Sequence, residues 1–243
     1  MTSLQSFDLH GIRAVIFDVD GTLYDLKMVQ RIMLFRLARF YIVRPWRCYD
    51  VFILYKFRRN REEMSVQGIR NIEREQFSRV AAKTGASETR VRSVVGQWII
   101  EAPLPFLRRC RYEGVDEFFG VLRKSGVRVA AMSDYPATAK IAALGLKADA
   151  IVSAVDPSVD RFKPDPAGFL TAARMLAVEP KDVLVIGDRM DRDGIAAERA
   201  GMRCLLIDEA GVSGGNCFKS YMDLIPLMGE RSKTSEPGGH KGG

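Results

Sequence analysis

Five short, mostly apolar and β-branched runs recur along the chain: Ile12–Asp18 (IRAVIFD), Val127–Ser133 (VRVAAMS), Ala150–Ala154 (AIVSA), Val183–Gly187 (VLVIG) and Cys204–Asp208 (CLLID). Runs of this kind become strands buried on both faces. Helical stretches lie among them, at Val115–Lys124, Ala137–Leu144, Pro166–Leu176 and Ile195–Ala200. The alternation predicts an α/β fold, a parallel sheet core with helices on both faces. At 243 residues and 47% hydrophobic content, the chain can form one domain with an insertion or two modest domains.

The insertion has an obvious place. Between Gly21 and Val127 there is no good strand candidate, and the segment reads as helical, including Val66–Thr84 with Ile69, Ile72, Phe77 and Val80 on one apolar face. The expected division is a core of residues 1–23 and 114–229, an inserted α-helical cap of residues 24–113, and a polar, Gly-rich, disordered tail of residues 230–243. No internal repeat is present.

Composition narrows the chemistry. His10 and His240 are the only histidines, and His240 lies in the Gly-rich tail, so Ser-His-Asp and Cys-His mechanisms are disfavoured. Cys48, Cys110, Cys204 and Cys217 form no C-x-x-C pair, which argues for reduced cytosolic thiols over a zinc knuckle or a disulfide framework. The N-terminus lacks the pattern of a cleaved signal peptide. The formal charge of +7 is concentrated in residues 26–80, which hold 13 Lys and Arg against 5 Asp and Glu.

In an open parallel sheet, ligands bind outside the carboxyl ends of the strands. Asp18, Ser133, Asp188 and Asp208 stand at four such ends. Any one of them could be turn chemistry or a helix cap, which does not readily explain the set. The most specific string is Asp18-Val19-Asp20-Gly21-Thr22, two carboxylates one residue apart after a buried strand, with Gly21 permitting a turn that sends them to different tasks. Thr22 is expected to tie the loop to the backbone.

This string resembles the first motif of the haloacid dehalogenase-like hydrolases. The resemblance continues in order through Ser133, through Lys163 in Arg161-Phe162-Lys163-Pro164, and through Gly187-Asp188-Arg189-Met190-Asp191-Arg192-Asp193, and it covers Ile12 to about Asp208. It implies a Rossmann-like core. It also implies that Asp18 is the nucleophile of a phosphatase, forming an aspartyl-phosphate, and that Asp20 is the acid and base. Ser133 and Lys163 would be catalytic groups that also bind the phosphate, beside Asp134, which stands where relatives commonly have Asn. The implied cofactor is Mg2+, held by Asp18, the backbone carbonyl of Asp20, and Asp188, with Asp193 either supporting the metal or orienting the lysine. Asp191 is expected to cap the following helix.

Other readings stay open at this stage. A dehalogenase is disfavoured by the presence of Asp20, whereas a phosphomutase would keep the same acids. A membrane-surface or nucleic-acid binding module is suggested by Leu26–Arg61, where arginines interleave with aromatics. The plainer interpretation is a pair of cap helices broken at Pro45, with aromatics packed inside and arginines solvated. The expected partner is a phosphorylated small molecule, with an amphipathic or lipid-like one and peripheral contact with an anionic membrane as alternatives, and nucleic acid disfavoured. The expected location is the cytoplasm, with the inner face of a membrane as the alternative site.

Overall fold

The computed structural model describes residues 11–208 and 216–229. His10 and the 230–243 tail, with His240, lie outside them. Six strands form one sheet: β1 (Ala14–Asp18), β2 (Arg128–Ser133), β3 (Ala150–Ser153), β4 (Val183–Gly187), β5 (Arg203–Ile207) and β6 (Cys217–Phe218). Their order is β3-β2-β1-β4-β5-β6, and every pairing is parallel. The chain leaves β1 toward β2 and β3, then returns to the other side of β1 with β4. The crevice at the carboxyl ends of β1 and β4 is therefore the switch point at which such sheets bind ligands.

Alternate residues of the strands feed opposite faces, as the pleat requires. Val15, Phe17, Val129, Ala131, Leu184 and Ile186 pack with helices α6 (Val115–Lys124), α7 (Thr138–Leu144) and α10 (Tyr221–Gly229). Ala14, Ile16, Ala130, Met132, Val183 and Val185 pack with α8 (Ala167–Met175) and α9 (Ile195–Arg199). The α/β sheet with helices on both faces is thus as the apolar runs predict.

Between β1 and β2 the chain is helical. It forms α1 (Leu26–Ile42), a 3-10 turn at Pro45–Arg47, α2 (Tyr49–Gln67), α3 (Ile72–Thr84), α4 (Glu88–Val95), a π-helical turn at Gly96–Glu101, and the short α5 (Leu104–Leu107). Asp25 caps α1 by accepting from the Met28 backbone N–H at 2.9 Å. These helices have a core of their own, in which Ile53, Leu54 and Phe57 of α2 meet Phe77, Val80, Val91 and Trp98.

Two expectations need correction. Val66–Thr84 is not one helix, because Gly68 (φ 61°) ends α2 in a left-handed cap and Asn71 (φ 55°) precedes a new start. The aromatics of Leu26–Arg61 are not all packed inside either. Tyr41 and Phe57 are buried, whereas Phe35 (71%), Trp46 (73%) and Tyr55 (55%) are exposed, and Arg61 is the buried member of its group. No helix among the described residues is long and apolar enough to cross a membrane.

The cap is tied to the core at a few polar points. Asp160 of the core accepts from the backbone N–H groups of Asn71 and Ile72 at 2.7 and 2.8 Å, capping α3 from outside its own chain segment. Ser65 of α2 donates to the Lys163 carbonyl at 2.5 Å.

Candidate active site

Asp18 ends β1, where the residue is 4% exposed. One carboxylate oxygen accepts from the Thr22 hydroxyl at 2.9 Å and the other from the Lys163 ammonium. Thr22 therefore holds the nucleophile candidate itself rather than the backbone. Gly21 carries φ 96°, and a Cβ there would fall inside the Asp188 carboxylate, so both its conformation and the space around it demand glycine.

Lys163 also donates to Asp193 at 2.7 Å. Asp188 and Asp193 reach the same place because a π-helical turn, Met190–Gly194, follows β4 and folds the second acid back toward the strand end. Ligand oxygens of Asp18, Asp188 and Asp193 lie within 4.8 Å of one another. Three carboxylates face one ammonium here. Burial raises Asp18 well above the usual carboxylate range, and the charges of Asp193, Asp188 and Asp20 add to it against the pull of Lys163. Burial and then Asp193 push Asp188 up to about 7. For Lys163, burial disfavours the charge, but Asp18, Asp193 and Asp134 outweigh it and hold the ammonium firmly protonated. A cluster of hard oxygen donors with unbalanced negative charge suits a divalent cation.

Asp20, two residues on, faces another way. Its carboxylate accepts from Tyr24, from Ser133 at 2.8 Å and from Lys140 at 2.7 Å. Burial opposes its ionisation, yet the charge of Lys140 and the hydrogen bonds from Lys140, Tyr24 and Ser133 prevail and hold it below the usual range. Ser133 is wholly buried, donating to Asp20 and accepting from the Tyr135 N–H at 3.0 Å. Asp134 accepts from the Lys163 N–H at 3.2 Å and from Arg192 at 3.3 Å. Asp191 does not cap a helix. It is exposed and paired with Arg189 at 2.7 Å. Asp208 is absent from the wall of the cavity.

A cavity of about 550 Å³ opens over these groups. Its floor is Asp18, Asp20, Lys163, Asp188 and Asp193. Its lining also holds the apolar Val29, Met33, Trp98 and Ile99 and the basic Arg58, Arg59 and Arg192.

The family follows from one comparison. A family model described as haloacid dehalogenase-like hydrolase matches residues 12–201. This chain belongs to the haloacid dehalogenase-like hydrolases. Over 120 residues it is 31% identical to YhcW of Bacillus subtilis (strain 168), named as a candidate phosphatase; that stretch is 48% of this chain and 54% of YhcW. The chain thus spans about half the length of that relative. Among solved structures, the 2-haloacid dehalogenase of Pseudomonas syringae pv. Tomato DC3000 superposes with a TM-score of 0.62 at 20% identity, covering 91% of this chain and 99% of that one. The β-phosphoglucomutase of Clostridium difficile gives 0.60 at 18%, covering 91% and 97%. At these identities the likeness is one of fold, and the fold is that of the haloacid dehalogenase-like hydrolases.

Sequence reasoning missed Lys140, Tyr24 and Arg61. Lys140 had a faint signal as the one charge in the apolar stretch Ala137–Leu144. Arg61 is buried between the Tyr135 and Phe162 rings, 4.0 and 4.3 Å from their centres, and donates to the Asp134 carbonyl at 2.6 Å. Nothing in its basic neighbourhood distinguishes it from the solvated arginines beside it.

Proposed function

We propose that this protein is a magnesium-dependent phosphatase that hydrolyses a phosphate monoester through an aspartyl-phosphate on Asp18. The observation that carries the reading is the separation of two neighbouring carboxylates into different surroundings. Asp18 sits with Lys163 and the acids of the cation cluster, and Asp20 sits with Lys140, Tyr24 and Ser133. One is placed to attack phosphorus and the other to manage protons.

In the first half-reaction a carboxylate oxygen of Asp18 bonds to phosphorus as the ester oxygen leaves with a proton from Asp20. In the second, Asp20 takes a proton from water, whose oxygen displaces Asp18 and releases phosphate. The lowered pKa of Asp20 makes the ionised form the resting one, which suits its role as base in the second half-reaction, and makes the protonated form a strong but scarce donor in the first. Lys163 offsets the charge of the transferring group, and Ser133 and Asp134 orient it, Ser133 by passing its hydrogen bond from Asp20 to a phosphoryl oxygen. Asp18, the Asp20 carbonyl, Asp188 and Asp193 would hold Mg2+, which when bound neutralises the phosphate and aligns it with Asp18.

The cap, taken as residues 24–113, would select the substrate. The apolar and basic residues that line the cavity support a phosphorylated small molecule with an apolar body. The four cysteines are all free, which supports action in the cytoplasm.

The test is release of inorganic phosphate from an aryl phosphate with no phosphate acceptor present. Release should require a divalent ion, stop in excess chelator and vanish in Asp18→Asn. Asp20→Asn should slow turnover of an alkyl ester about 10²–10⁴-fold, with a smaller effect on an activated ester. Undiminished activity in chelator, or transfer only to an acceptor, would overturn the proposal.

A further inference from the structure

Helix α1 is apolar on two sides. Val29 and Met33 face inward, while Leu34 (69%), Phe35 (71%) and Ile42 (77%) face solvent, and the turn that follows adds Val43 (60%) and Trp46 (73%). On α2, Val51, Phe52 and Tyr55 continue an exposed stripe at i, i+1 and i+4, with the Tyr49 and Phe52 rings 5.6 Å apart. A surface helix ordinarily carries polar residues on its outer side.

The charges around these residues have one sign. Asp50 is the only acid from Leu26 to Arg61, and it is fully buried, held by Arg47 at 3.2 Å and Arg90 at 2.8 Å. Lys27, Arg31, Arg39 and Arg58 are exposed and make no ion pair with the described residues. From Leu26 to Arg61 the exposed surface is therefore apolar and cationic, and the next acids along α2, Glu62 and Glu63, are engaged by Arg192 and by Lys83 and Arg59.

Its chemistry selects among occupants. A second copy in a two-fold contact would set these cations against themselves. A nucleic-acid strand would use the aromatics as stacking platforms, but Leu34, Ile42 and Val43 have no ring to stack on. The interface of a bilayer accepts aliphatic side chains, Trp and Arg together, because the rings and stems enter the apolar layer while the cationic heads stay with the phosphates.

We propose that the α1–α2 segment of the cap docks on an anionic lipid bilayer, with Phe35, Ile42 and Trp46 in the interfacial layer and Arg31 and Arg39 against lipid phosphates. The stripe on α2 ends at Tyr55 and Arg58, which line the cavity, so docking brings the cavity mouth to the headgroup plane. The proposal stands on the surface alone and is independent of the phosphatase reading.

The experiment is co-sedimentation with phosphatidylcholine vesicles and with phosphatidylcholine–phosphatidylglycerol vesicles, at low and high salt. The full chain should sediment with the anionic vesicles, less so at high salt, and its tryptophan emission should shift to the blue. Arg31→Gln with Arg39→Gln should weaken that partitioning roughly 25-fold, at about five-fold for each basic side chain near the surface. Trp46→Phe should remove the blue shift. Both variants lie outside the cavity and should hydrolyse a soluble aryl phosphate at the unaltered rate, which separates failed docking from a failed fold or a failed phosphatase reading. Absence from anionic vesicles overturns the proposal, whether the protein then self-associates or binds an oligonucleotide. So does partitioning that neither salt nor the arginine substitutions reduce.

Discussion

Asp18 and Asp20 are separated by one residue and carry opposite pKa shifts, and the difference comes from which lysine each one meets and how many other acids share it. Lys163 is shared among Asp18 and Asp193, while Lys140 serves Asp20. Removing Lys140 takes away the largest of the effects that oppose burial at Asp20, so its pKa should rise. Where Asp20 must be ionised to accept a proton, the acid limb of the pH–rate profile of Lys140→Met should move to higher pH. A pH profile of the variant beside the parent measures this. A second prediction concerns Asp188, which in the metal-free protein keeps its proton up to about 7. Binding a cation expels that proton, so affinity for Mg2+ should climb as pH rises from about 6 to 8 and level off above, as titration calorimetry would record. That Asp18, Ser133, Lys163, Asp188 and Asp193 come together was legible in the sequence because Asp18, Ser133 and Asp188 stand at strand ends and Lys163 and Asp193 lie in motif strings that follow β3 and β4. Lys140 and Tyr24 were not, because what makes them matter is contact with Asp20 across the turn of a loop or from the far side of the crevice.

At the scale of elements, the strands were legible because burial on both faces removes polar residues from a run of four or more. β6 escaped because Cys217–Phe218 is only two residues long and offers no run. The α2–α3 break was missed by carrying one apolar face through Gly68, which periodicity alone does not forbid. Arg61 joins these elements to the core: it reaches Gln76 on α3 and the Asp134 carbonyl in the loop after β2, with its guanidinium over the rings of Tyr135 and Phe162. Arg61→Met should lower stability by about 2–3 kcal/mol, the scale of a lost charged hydrogen bond, in a urea titration. Arg61→Lys should not restore it, because an ammonium cannot stack flat between two rings while donating in two directions.

For the whole molecule, α10, the last helix of the described residues, is as much a part of the site as the strands are. Tyr221 is fully buried against Phe17, Phe118 and Phe218, and its hydroxyl donates at 2.9 Å to the carbonyl of Thr22, the residue whose hydroxyl holds Asp18. Tyr221→Phe keeps the ring packing but strands that carbonyl, so it should cost about 1–3 kcal/mol in thermal unfolding and loosen the Thr22 hold on Asp18, lowering kcat. Neither effect could be read from the sequence, where the recognised motifs stop near Asp208. The same contact bears on biosynthesis. β1 emerges from the ribosome first among the strands, yet it occupies the middle of the sheet and gains its second neighbour only when β4 has been made, more than 160 residues later. Its loop then waits for Tyr221. A nascent chain of this protein should therefore remain inert, with exposed strand edges in need of shielding, until almost all of the described residues have left the exit tunnel.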